Sequence, residues 1–537
     1  MTTNGIQSVE TTSPQAGARL FVSTRALLWL LAVALFAGGL AVRFYDLTDQ
    51  PLDFHPTRQL RSAIIARGMY YEMLPGADPQ ARERAIASWT SMGQYEPSIL
   101  ERLVAYTYLA LGKEVLWVSR IYTSLFWLVG GLALFDLARR MTLDALQEEV
   151  LDDSKRGALS LAVALVAAGY YLFLPFATQA SRSFQPDPGM VMWIVLSVYG
   201  LYRWQSQRSW KWAVIAGVAG GMAVLTKAVA AYVVGAAALA MVLQSLGLRR
   251  SWRSLQVWAM GLLMVAPSAY YYLIQRHGRA ADYFNGWTVQ LSHLLLEPSF
   301  YARWFNLIQS LMGLAILLLA LIGVLIAHPR NRVLLLGLWL GYAAYGLFLP
   351  YQMYTHSYYH LQLVPIVALS LIPVAQALLL RVWQQPRFWQ LLVVLVALAG
   401  VVFPAYQSIS LQASENHRIE PAYWQEIASY LPTDGKIVAL TQDYGYRLMY
   451  YGWRKVSSLW PIQGEIRLAK LRGEGKTFEQ YFLNRTEGAS YFLITAFGQY
   501  NDQPDLQEML ETHYPLIAKG NGYLIYDLEH PLPAASP

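Results

Sequence analysis

The sequence has no cysteine, which excludes disulfides, thiolate catalysis and cysteine-ligated metals. It is also poor in charge. Only 14% of its 537 residues are Asp, Glu, Lys or Arg, where about 25% is usual for a globular domain. No internal repeat and no low-complexity tract is present. There is no HExxH zinc helix, and GEGKT at 473–477 is no P-loop, because Lys470 stands where the earlier glycine belongs. No small-residue cleavage site follows the first apolar block, so that block reads as an anchor, not a signal peptide.

What is abundant is apolar surface in blocks, with 55% hydrophobic residues. ALLWLLAVALFAGGLAV from Ala26 and LMGLAILLLALIGVLIA from Leu311 each approach the ~20 residues that cross a bilayer core. Neither shows the polar stripe of a soluble helix. Such blocks predict spans at 26–43, 116–138, 158–176, 188–204, 212–226, 228–246, 254–274, 306–327, 333–350, 360–380 and 389–406. As one helix, 212–246 would reach about 52 Å against a ~30 Å core, so a break is expected at Thr226-Lys227.

Charge tests that break. With the N-terminus inside, the short inner segments carry Arg19 and Arg25; Arg139, Arg140, Lys155 and Arg156; Arg203, Arg208 and Lys211; Arg249, Arg250 and Arg253; Arg330 and Arg332; Arg381 and Arg387. All are basic, as the positive-inside rule requires. The net charge of +7 is therefore a matter of topology, and nucleic acid is not expected as a partner. The expected fold is a polytopic α-helical membrane protein of about 11 spans, N-terminus in and C-terminus out, with a C-terminal extracytoplasmic α/β domain. It divides into a cytoplasmic segment 1–25, a transmembrane part 26–406 with a large outer loop 44–116, and the α/β domain 407–537. In the last, PAYWQEIASYL and DLQEMLETH read as helices, and KIVAL (after a DG turn), YFLIT and YLIYDL as strands.

The chemistry concentrates at outer span ends. RFYDLTDQPLDFHPTRQLRSAIIARGMYYEM brings together Asp46, Asp49, Asp53, His55, Arg58, Arg61 and Arg67, a set suited to an anionic lipid headgroup and a reaction needing a base; solvated loops are also simply polar. Glu96 precedes an apolar-periodic segment, as a functional acid or as helix-start chemistry. Arg182 and Asp187 share a short turn whose Pro186 and Pro188 fix the backbone around the aspartate, for function or for a cap. Lys227 interrupts an apolar run, a functional signal by default, with snorkelling as the alternative. His277, Asp282, Trp287 and His293 follow, then His356, Tyr358, Tyr359 and His360, an aromatic belt or a sugar or headgroup site. Asn484-Arg485-Thr486 is a glycosylation triplet of little weight.

The order of these pieces resembles a known family. YEPSIL stands before the second span, SRSFQPD gives S-R-x(4)-D, GVAGGMAVLTK gives G-x-x-x-G-x-x-x-L-T-K, and YYHLQLVP enters a later span. Over residues 26–406 the chain resembles the C-type integral membrane glycosyltransferases, in the branch of protein O-mannosyltransferases and the lipid A aminoarabinose transferase. The resemblance implies transfer of a sugar from a polyprenyl-phosphate carrier to a protein, lipid or glycan acceptor on the extracytoplasmic face of a cell membrane, bacterial plasma membrane being the expected location. It implies Asp53 as general base, Asp187 as second acidic position and Lys227 near the donor phosphate, which Arg58 and Arg61 would share on grounds of charge. Arg182, His356, Tyr358, Tyr359 and His360 are the expected substrate contacts. Some relatives use a divalent metal such as Mg or Mn, for which Asp53 with Asp187 would be the carboxylates.

One departure leaves the base open. The family's first motif carries an Asp-Glu pair, whereas this chain reads Asp53-Phe54-His55. Aligned on a His-Pro-Asp-Glu variant, His55-Pro56 matches and Thr57-Arg58 replaces the acids, leaving Asp53, His55 or Glu96 for the role. A transporter or flippase of lipid-linked sugars is the alternative class, although such proteins place charges near the midplane and show inverted repeats. A surface-glycan polymerase or ligase shares the donor but differs in acceptor.

Overall fold

The computed structural model describes residues 24–93, 96–275, 279–433, 435–473 and 477–533. Arg19, the first two residues of QYEPSIL, His277, the aspartate of the DG turn and the middle of GEGKT lie outside the described residues. The chain opens with α1 (Thr24–Phe44), then a long loop folded into α2 (Pro56–Met73), α3 (Pro79–Ser91) and α4 (Ile99–Leu111). Next come α5 (Trp117–Ala145), α6 (Asp153–Phe173), the short α7 (Pro175–Arg182), α8 (Asp187–Gln207), α9 (Trp210–Thr226), α10 (Ala230–Ser251) and α11 (Leu255–Ala269). After two π-helical turns at 270–275 and 285–289 flanking α12 (Arg279–Phe284), the chain forms α13 (Pro298–Met312), α14 (Leu314–Ile326), α15 (Pro329–Phe348), α16 (Pro350–Thr355), α17 (Leu363–Ser370), α18 (Ile372–Trp383) and α19 (Arg387–Ser414).

Every expected apolar block is helical, with two adjustments. By length and apolarity alone, seven helices among the described residues suit a crossing, or eight if a bent pair counts as one. That pair is α13–α14, expected as a single span over 306–327 but bent by 97° at Gly313, whose φ of 86° suits glycine and ends α13. The last helix runs on to Ser414, eight residues past the expected end. The break before Lys227 is present: α9 ends at Thr226, Lys227 is extended at φ −157°, ψ 117°, and α10 starts at Ala230.

The glycines before that break let α9 lie close to α11. A Cβ on Gly221 would stand 2.2 Å from the Leu263 carbonyl oxygen, and one on Gly217 2.8 Å from Leu263 Cβ. Small residues at this spacing allow helix backbones to approach in a membrane protein.

The C-terminal part is α/β. Helix α20 (Glu420–Ser429) leads to β1 (Ile437–Leu440), α21 (Tyr446–Tyr451) and β2 (Ser458–Leu459); α22 (Gln463–Leu471) and α23 (Phe478–Thr486) lead to β3 (Tyr491–Ile494). α24 (Phe497–Asn501) and α25 (Pro504–His513) precede the hairpin β4 (Leu516–Gly520)–β5 (Tyr523–Asp527). The sheet runs β2-β1-β3-β5-β4, with β1 parallel to β2 and β3, and β5 antiparallel to both β3 and β4. Alternation along β1 decides what each face covers. Val438 and Leu440 join a core internal to this domain with Trp460, Phe482 and Phe492. Ile437 and Ala439 join a second core that also holds Leu60, Ile64 and Tyr108 of the first long loop and Trp424, Ile427 and Tyr450. The loop and the C-terminal domain thus share one core on the same side of the helix bundle.

Candidate functional site

Two groups of ionisable side chains sit where that shared core meets the bundle. The first is built on the turn before α2. Asp53 Oδ1 accepts from Gln59 Nε2 at 3.0 Å and faces Arg120 Nη2 at 3.1 Å, while Oδ2 lies 3.7 Å from Arg182 Nη1. Arg120 also donates to the carbonyls of Asp46, Leu47, Asp49 and Gln50 at 3.0–3.2 Å, and Arg182 donates to that of Asp46 at 3.1 Å. Burial alone would push the Asp53 carboxyl up; Arg120, Arg182 and Gln59 outweigh it and hold the group below the usual carboxylate range. Asp53 is therefore the ionised anchor of the 46–54 turn, with both oxygens engaged.

The second group lies on the other side of that turn. Asp187, first residue of α8, accepts from Lys227 Nζ through Oδ1 at 2.8 Å, with side chains 0% and 6% exposed. Its Oδ2 has no hydrogen-bond partner among the described residues. The ammonium lies 4.8 Å from the Tyr358 ring and 4.5 Å from that of Tyr359, within cation–π range. Arg58 stands 5.7 Å from the Tyr358 ring and donates to Glu96 Oε1 at 3.2 Å. Arg61 donates to the Gly93 carbonyl. Here too burial favours the neutral acid, but Arg58, Lys227 and Arg61 outweigh it and lower Glu96.

His55 faces this second group. Its Nε2 is 2.8 Å from Ser357 Oγ and its ring 4.8 Å from that of Tyr358. Burial pushes it down to about 4, with Arg58 and Lys227 adding to the shift and Asp187 opposing it. His356, 5.7 Å from Tyr358 and 5.9 Å from Tyr359 ring to ring, is lowered by burial to about 4 as well. Both imidazoles are neutral at pH 7, so each keeps a nitrogen able to take a proton.

The expected residues thus divide. His55, Arg58, Glu96, Asp187, Lys227, His356, Tyr358 and Tyr359 share one site, with Arg61 at its edge. Asp53 and Arg182 form the anchor behind it. His360 belongs to neither: it is fully buried, with Nδ1 2.5 Å from Tyr342 Oη and Nε2 3.0 Å from the Met353 carbonyl. The two carboxylates considered for a divalent cation do not converge on one. Asp53 faces two guanidiniums and Asp187 an ammonium, and no group of three His, Asp or Glu suited to a metal occurs among the described residues. The residues present therefore do not fit such an ion.

Sequence reasoning missed Arg120, Gln59, Ser357 and Asp443. Arg120 had a signal, a charge near the start of an apolar block. Asp443 had none: it comes from the C-terminal domain and accepts from Thr57 Oγ1 at 2.9 Å. Beside the site, a cavity of about 850 Å³ is lined by Pro97, Ile99, Leu103, Tyr106, Leu225 and Pro267 among others. Its walls are mostly apolar and adjoin Glu96 and Lys227 in the chain.

Residues 154–271, which include both Asp187 and Lys227, match the family model described as dolichyl-phosphate-mannose-protein mannosyltransferase. The family resemblance read from the sequence stands. The fold is that of ArnT from Cupriavidus metallidurans. The apo crystal structure of that protein matches with a TM-score of 0.57 at 16% identity, and its crystal structure bound to undecaprenyl phosphate with 0.56 at 15%. In each case 93% of this chain and 98% of the other are covered. No curated protein matches the sequence.

Proposed function

We propose that this protein is a membrane glycosyltransferase that moves a sugar from a polyprenyl-phosphate carrier to an acceptor on the extracytoplasmic face. The observation that carries the reading is the buried Lys227–Asp187 pair at a helix break, with Arg58 beside it and an apolar cavity next door. A cationic pocket receives a phosphate, and the apolar cavity receives its prenyl tail. The family match over the residues that supply the pair, and the ArnT-like fold over nearly the whole chain, support the same donor class.

The geometry favours His55 over Asp53 as the base. Asp53 is ionised but clamped between Arg120 and Arg182, whereas His55 is neutral and faces the Asp187–Lys227 pair. In the proposed step an acceptor hydroxyl or amine attacks the anomeric carbon and the bond from that carbon to the phosphate oxygen breaks. The proton passes to His55, and the charge gathering on the leaving phosphate is met by Lys227 and Arg58.

The test is an in vitro transfer assay on purified protein in lipid, with a panel of radiolabelled polyprenyl-phosphate sugars and membrane extract as acceptor. Loss of label from one carrier-linked sugar, dependent on the protein, is the expected result and names the donor. No loss across the panel would sink the transferase reading and put the flippase alternative ahead.

A further inference from the structure

Among the described residues, six that are not glycine have positive φ, and five of them (Asp46, His55, Asp443, Tyr444 and Trp453) lie where the first long loop meets the C-terminal domain. Left-handed backbone in such residues persists only where the surroundings enforce it. Here it accompanies two grips on α2. At the start of the helix, Asp443 Oδ1 accepts from Thr57 Oγ1 at 2.9 Å while Oδ2 accepts from Arg447 Nε at 2.6 Å. Arg447 is tied in turn to Glu420 at 2.9 Å, so α20 and α21 together hold the aspartate. Its charge also stands at the N-terminal end of α2, where unpaired backbone amides favour an anion. Further along, Arg67 donates to the Tyr450 carbonyl at 2.5 Å and lies 3.7 Å from the Tyr450 ring and 4.4 Å from that of Trp453. Between the two grips stands Arg58, and directly before them His55.

We propose that Asp443 is a positioning residue of the site: through Thr57, the C-terminal domain sets the first turn of α2 so that His55 and Arg58 face the Asp187–Lys227 pair. The helix bundle is then incomplete as a transferase without that domain. The role in transfer rests on the function proposed above; the grip on α2 does not.

The test uses full-length protein in lipid and two readouts, hydrogen exchange over residues 55–62 and donor KM against kcat. Thr57→Val removes the hydroxyl at nearly constant shape. It is expected to speed exchange in that segment about tenfold and to raise donor KM about tenfold, the size of one charge-assisted hydrogen bond, with Tm unchanged. Thr57→Ser, which keeps the hydroxyl, rescues both. Asp443→Ala with Thr57→Val is expected to be no worse than Asp443→Ala alone, because the two share one bond. Wild-type exchange in Thr57→Val, or additive losses in the double variant, overturns the proposal. If the wild-type protein transfers no sugar, the transferase reading fails, and the exchange measurement still decides whether Asp443 sets the turn.

Discussion

Lys227 Nζ stands 2.8 Å from Asp187 Oδ1, and neither side chain is more than 6% exposed. Each charge is tolerable only because of the other. Lys227→Met is expected to lower stability by about 3–5 kcal/mol, since it strands a buried carboxylate. Lys227→Met with Asp187→Leu should recover most of that loss in thermal unfolding yet remain inactive in transfer. A double variant that regains turnover would remove the pair from the reaction.

Replacing the base and replacing the anchor should fail in different ways. His55 sits at φ 46°, a conformation asparagine tolerates, so His55→Asn keeps the turn and removes the proposed base. Transfer should fall about 10²–10⁴-fold with Tm nearly unchanged. Asp53→Asn should instead lower Tm, because Arg120 and Arg182 lose the charge between them. Wild-type-like turnover in His55→Asn would return the role to Asp53 or Glu96.

Acid should loosen the protein before it protonates most surface carboxylates. His55 and His356 are both lowered to about 4, against about 6.5 in an unfolded chain. Between those values the unfolded state binds more protons, so their contribution is present above pH ~6.5 and lost as pH falls through ~4. Thermal unfolding followed from pH 7.5 to 4 should show Tm falling over that window, and less steeply in His356→Gln. An unchanged slope in that variant would show that His356 does not titrate as described.

Gly221→Ala should disrupt the α9–α11 contact, because its Cβ would meet the Leu263 carbonyl at 2.2 Å. Gly235→Ala, with nothing within 4 Å of its Cβ, should be neutral. Folded yield in detergent compares the two directly.

Much of this architecture could be read from the chain because the bilayer restricts the options. Apolar length marks each helix, and a lysine within an apolar run marks the break before α10. The strands announced themselves through KIVAL, YFLIT and YLIYDL. Other features carry no local signature. Asp53 and His55 are two residues apart in one polar turn, and nothing in their types tells that Asp53 meets Arg120 and Arg182 while His55 meets Ser357 and Tyr358. His360 looked equivalent to His356 until its partners, Tyr342 and Met353, turned out to lie within the bundle. The bend at Gly313 was hidden by continuous hydropathy on both sides.

The shared core also constrains the timing of assembly. Asp49 accepts from the His417 backbone at a separation of 368 residues, and Arg67 reaches Tyr450 across 383. At about 5–20 residues per second, the ribosome delivers those partners roughly 20–75 s after the segments they complete. For that interval Leu60 and Ile64 of α2 have no C-terminal domain to cover them. A nascent chain that stalls before the C-terminal domain leaves this apolar face bare and open to quality-control proteases, and the first turn of α2 gains its Thr57–Asp443 hydrogen bond only after residue 443 has been made.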